Sequence, residues 1–131
     1  MMFDWKEYLE LAKSFQADAQ RSKNTEALLR SSISRAYYAA FNVSKNYLIS
    51  LNYVISKRDA HGNVRKQFEQ LSIEETDNNK REKFIMISAN LDNLSFDRKR
   101  ADYDGQLDRV CDVSKVSLKR SEEIINAVIS L

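Results

Sequence analysis

At 131 residues the chain is long enough for one domain with a full core, taken here as residues 1–131. Its formal charge of +2 is too small to imply nucleic acid by itself, and the lone Cys111 forms no intrachain bridge. No apolar run approaches the about 20 residues that span a bilayer, and the mixed-charge start Met1-Met2-Phe3-Asp4-Trp5-Lys6-Glu7 is unlike a signal peptide, so a soluble, cytoplasmic protein without membrane contact is expected.

Proline is absent and glycine occurs only at Gly62 and Gly105, whereas an ordinary chain carries about 5% proline. Few breakers allow an almost wholly helical fold. Trp5, Tyr8, Leu9, Ala12, Phe15 and Ala19 follow helical spacing and predict a first helix. A long second helix begins after Asn24-Thr25, with Ile33, Ala36, Tyr37, Ala40, Phe41, Ser44, Tyr47, Leu48 and Leu51 on one stripe. A loop around Ser56 to Gly62 leads to a short third helix carrying Val64, Phe68 and Leu71. Asp77-Asn78-Asn79 can cap a fourth helix, whose stripe is Phe84, Ile87, Ser88, Leu91, Leu94, Ser95, Arg98 and Asp102. Gly105 marks a bend or helix end. A fifth helix carries Val110, Val113, Ser114, Ser117, Ser121, Ile124, Val128 and Leu131, its small serines allowing a neighbour to approach closely. The expected fold class is all-α: an up-and-down four-helix bundle with one short additional helix.

Two segments break the apolar pattern. Ser34-Arg35-Ala36-Tyr37-Tyr38-Ala39-Ala40-Phe41 and Arg98-Lys99-Arg100-Ala101-Asp102-Tyr103-Asp104 place polar-tipped or charged side chains where a core stripe would carry Leu, Ile or Val. Burying such groups unpaired costs several kcal/mol, so they need partners. Arg98 and Asp102 stand four residues apart on one helix face. One reading is a structural ion pair that pins two helices, with Tyr37 or Tyr38 completing the hydrogen bonds. The other is an anion site, in which a guanidinium and nearby phenols take a phosphate of RNA or a nucleotide. Spacing alone leaves both open. Of the other basic clusters, Lys80-Arg81 with Lys83 and Lys119-Arg120 are expected to be solvated helix faces.

These residues resemble a known family. The segment Ser34 to Phe41, the His61-Gly62 pair ahead of a helix with Phe68, and Arg98 with Ala101-Asp102-Tyr103 together are similar to the minimal HEPN domains of prokaryotes, from about Asn24 to the end of the chain. The resemblance implies a bundle of four or five helices that dimerises, with RNA cleaved in the dimer cleft. It also implies a toxin–antitoxin or phage-defence module whose partner is a small nucleotidyltransferase. In such pairs a tyrosine beside the arginine is modified with a nucleotide, a role that falls on Tyr103.

The chain departs from the family pattern at one point. Ribonuclease-active members carry a histidine a few residues after the arginine, where this sequence has Tyr103-Asp104-Gly105 after Arg98 and Gly105-Gln106-Leu107 after Arg100. Metal-independent RNA cleavage needs a group that moves protons near neutral pH, and imidazole suits it better than phenol. His61, the only histidine, is either a helix cap or core hydrogen-bonder, or folds over the cleft as a replacement. One His and one Cys without paired spacing offer no metal site, and no cofactor is expected.

The expected function is RNA or nucleotide binding in a polar cleft at a homodimer interface, built on Arg98, Arg100, Asp102, Tyr37, Tyr38 and Arg35. The alternatives are a metal-independent endoribonuclease, with Arg98 on the phosphate and His61 or Tyr103 moving the proton, and a non-catalytic helical interaction module.

Overall fold

A computed structural model describes residues 2–131. Five helices follow in chain order: α1 (Lys6–Ala19), α2 (Thr25–Ser50), α3 (Ala60–Glu74), α4 (Asn78–Tyr103) and α5 (Val110–Ile129). Among the described residues there is no strand, and no helix is long and apolar enough to cross a membrane.

Several boundaries have a local cause. The Asp77 carboxylate accepts the Asn79 N–H at 2.9 Å, which caps α4. α2 ends in a left-handed residue, Asn52 (φ 70°), and the Tyr53 N–H returns to the Leu48 carbonyl at 3.1 Å. Gly105 follows the last residues of α4, as expected. Asp59 precedes α3 with a left-handed backbone (φ 55°), and its carboxylate folds over Gly62: a Cβ there would lie 2.6 Å from an Asp59 oxygen.

α2 runs through the middle and meets all four other helices, whereas α3 leans mainly on α4 and touches α2 most lightly. Because α2 is central it buries more than one stripe. Leu29, Ser32, Ala39 and Asn42 are buried along with Ile33, Ala36, Tyr37, Ala40, Phe41, Ser44 and Leu48, while Leu51, expected inward, is exposed beyond the helix end. The main core joins Tyr37, Phe41, Leu48, Phe68, Ile87 and Leu94 to Ile124 and Val128. α3, expected to be short, spans 15 residues and starts early enough to place His61 and Gly62 in its first turn instead of a loop.

The serine stripe of α5 faces into the bundle of this chain, where Ser114 and Ser121 find partners and the Ser117 hydroxyl is buried without one among the described residues. Ser114 meets the Ser32 hydroxyl at 2.6 Å and accepts from Gln16 Nε2 at 2.9 Å, and Ser121 donates to the Ala36 carbonyl at 2.7 Å. Small side chains let α5 approach α2, and hydrogen bonds then fix its position. This stripe is no surface for a second copy.

Candidate functional site: a cleft between α2, α3 and α4

The fourth-helix stripe runs apolar through Leu91 and Leu94 and then places Arg98 in the interior, 7% exposed. Its guanidinium carbon stands 5.4 Å from the Tyr37 ring centre and 5.6 Å from that of Tyr38. Its one ion pair is long, 3.5 Å from Nη1 to Asp102 Oδ2. Arg98 Nε is buried without a partner. A guanidinium carries five donors, so this is a buried cation with most of its hydrogen-bonding capacity open. Asp102 lies toward solvent and also accepts weakly from Ser34 at 3.4 Å, so the pair does not neutralise Arg98 in a closed interior.

Tyr37, fully buried, hydrogen-bonds His61 Nδ1 through its hydroxyl. The imidazole lies against the Phe41 ring, with centroids 4.3 Å apart. Tyr38 is half-buried at the rim, edge-on to Tyr37. α3 thus delivers His61 to the rings that also hold Arg98, although the two residues are far apart in sequence. Burial lowers the pKa of His61, and the Arg98 and Lys99 cations lower it further against a weaker opposing pull from Asp59. Burial likewise pushes the Tyr37 phenol well above its ordinary value.

Beside these residues opens a cleft of about 250 Å³, lined among others by Asp59, His61, Lys66, Asp92, Ser95 and Lys99. Arg65 is tied to Glu69 at 3.2 Å and to Asp92 at 3.7 Å. Lys66 and Lys99 make no ion pair among the described residues, which leaves two free ammonium groups at the cleft. Lys66, Ser95 and Lys99 were not singled out as site residues from the sequence. The signal was there on α4, where Leu91, Ser95 and Lys99 recur every four residues, one step round from Arg98.

Other predicted residues lie elsewhere. Arg100 points away from the His61 cleft, where it pairs with Asp97 at 3.7 Å and stacks on Phe96 at 5.4 Å, and it lines one groove with Arg98. Arg35 packs over the Tyr8 ring of α1 at 4.9 Å and lines a separate groove with Arg30, Ser34 and Asp102. Tyr103 is 77% exposed in a shallow groove that Phe96, Arg98, Lys99 and Arg100 also line, outside the cleft that holds His61, so Arg98 touches the His61 cleft only through its contact with the Tyr37 ring. Lys99 borders both hollows. Among the described residues no three His, Cys, Asp or Glu side chains converge as a metal site.

A family model described as HEPN domain matches residues 5–131 of the chain. Comparison with curated proteins found no match, and neither did comparison with solved structures. The family match spans all five helices and essentially the whole chain, so this protein belongs to the HEPN domain family.

Proposed function

We propose that the cleft between α2, α3 and α4, continued across Lys99 into the α4 groove that Arg98 lines, binds the phosphate backbone of single-stranded RNA. The observation that carries this reading is Arg98: a buried guanidinium with an orphan Nε and one long ion pair, lining the adjoining α4 groove next to Lys99, which also borders the His61 cleft together with Lys66. A cation kept in the interior without adequate partners costs stability, and an anionic ligand supplies what the fold withholds. Membership in the HEPN family supports a role in a toxin–antitoxin or defence module with a small nucleotidyltransferase as partner. Two copies would meet through α4, where Phe96 (63% exposed) and Tyr103 stand two turns apart on one outer face. A fluorescent single-stranded RNA oligomer should bind the wild type and lose affinity on Arg98→Met. Equal binding by both proteins would defeat the reading. Sedimentation at tens of micromolar (on the order of a modest Kd) tests the dimer, which Phe96→Glu should dissociate.

The position of His61 favours a second reading, metal-independent RNA cleavage. An imidazole of lowered pKa shares its aromatic neighbours with the arginine that would hold the phosphate. Incubating the pure protein with mixed cellular RNA, with and without chelator, separates the two: chelator-resistant cleavage lost in His61→Ala supports the enzyme, and intact RNA supports the binder.

A further inference from the structure

The contact between Tyr37 and His61 admits two arrangements. Either the phenol donates to a bare Nδ1, or a protonated Nδ1 donates to the phenol oxygen. The first joins the stronger donor to the stronger acceptor. A phenol is a much better acid than the N–H of a neutral imidazole, and an imidazole nitrogen, with a conjugate acid near pKa 6.5, is a far better base than a phenol oxygen. The other ring nitrogen, Nε2, makes no hydrogen bond among the described residues and is not one of the buried orphan atoms, so it opens onto the cleft that His61 lines.

We propose that Tyr37 is a positioning residue that holds His61 as a neutral imidazole with its proton on Nε2, so that His61 serves the cleft as a hydrogen-bond donor to a phosphate oxygen instead of as a resting base. The ligand named here rests on the phosphate-binding reading above; the tautomer does not. The groups facing the imidazole agree with it. Lys45 of α2 and Arg98 and Lys99 of α4 are cations, Asp59 at the start of α3 opposes them, Arg65, Lys66 and Asp92 line the same cleft, and Tyr38 stands edge-on at 6.2 Å. They keep a second proton off the ring at neutral pH. Lys66, Lys99 and Nε2–H at the cleft, with Arg98 in the adjoining groove, are then all donors, the complement of a phosphate and not of a base's substrate proton. Any cleavage by this protein would use His61 only as an acid, after it takes up a second proton, and so would rise as pH falls.

His61 is the only histidine in the chain, so nitrogen-15 labelling of imidazole reports this residue alone. The free protein at neutral pH should show a bare Nδ1 and a protonated Nε2. Tyr37→Phe should give a mixture of tautomers and a higher histidine pKa. A resting Nδ1–H form in the wild type, or a spectrum that Tyr37→Phe leaves unchanged, overturns the lock; should that variant fail to fold by circular dichroism, the wild-type tautomer decides it. On adding a single-stranded RNA oligomer the Nε2–H resonance should move. His61→Gln, whose amide nitrogen stands where Nε2 stood, should bind within a few-fold of wild type, and His61→Leu should lose about tenfold. RNA that binds with an unmoved Nε2 resonance overturns the donor role. Absence of RNA binding in every protein overturns the phosphate reading and the ligand assigned here, while the tautomer measurement still stands or falls alone.

Discussion

Two arginines reach the seam between α2 and α4, and their surroundings differ in kind. Arg30 of α2 places Nη1 on the carbonyls of Ala101 (3.0 Å) and Asp104 (2.6 Å) at the end of α4, with Arg100 at 3.4 Å, while its Nε holds Glu26 at 3.2 Å. These carbonyls lie in the last turn, where a helix leaves acceptors open and its dipole favours a cation. Arg30 closes the fold. Arg98, a helical turn earlier on α4, has no such acceptor and is more deeply buried. Position in the interior does not make a charge structural; satisfied valences do.

The comparison predicts opposite outcomes for two substitutions. Arg98→Met should lower RNA affinity by about a hundredfold or more, the worth of a charge-assisted phosphate contact, while the melting temperature holds or rises because an undercompensated buried charge is gone. Arg30→Ala should do the reverse, costing about 2 kcal/mol of stability with RNA affinity kept. Melting curves and binding isotherms on the two variants check both, and a stability loss in Arg98→Met equal to that of Arg30→Ala would erase the distinction. Next in size, Lys99→Gln should reduce the slope of log affinity against log salt by about one, and Lys119→Gln, outside the cleft, should leave it unchanged.

The smallest effect concerns pH. His61 is held neutral in the folded state, so below its ordinary pKa of about 6.5 the unfolded chain takes up the proton first and stability falls with pH. Tyr37 is held protonated, so above about pH 10 the unfolded chain loses the proton first and stability falls again. Thermal melts across this range should show both limbs. His61→Gln should flatten the start of the acid limb and leave the alkaline limb intact.

The helices were legible because their stripes are local. Phe84, Ile87, Leu91 and Leu94 declare α4 without knowledge of any partner. Arg98 and Tyr37 could be singled out for the same reason, as polar groups on a buried stripe. The composition of the cleft was not legible, because it depends on how α3 docks on α4. Ser88 donates to the Arg65 carbonyl at 3.2 Å, a contact across two helices that brings Lys66 to the site and that no sequence period encodes. Arg35 and Arg100 lie outside the His61 cleft, Arg100 in the groove that Arg98 lines and Arg35 in one with Asp102. Arg35 lies two residues from Tyr37, and on a helix two residues is nearly the far side. The serines of α5 were correctly placed inward, but which neighbour they admit, α2 or a second chain, is a tertiary question.

α3 carries one wall of the cleft while leaning mainly on α4, and the Tyr37–His61 contact is the one side-chain hydrogen bond that joins it to α2 among the described residues. Free energies of local opening differ across a fold, and an element held from one side opens before the bundle unravels. The two walls therefore have different lifetimes. On this expectation Arg98 stays in place as long as the protein is folded, whereas His61 would leave and return with each opening of α3. Amide exchange should be faster along α3 than along α2 and α4, and a ligand gripped by both walls would slow it there most. Capture would then take two stages, a charge contact on a standing wall followed by closure of a transient one.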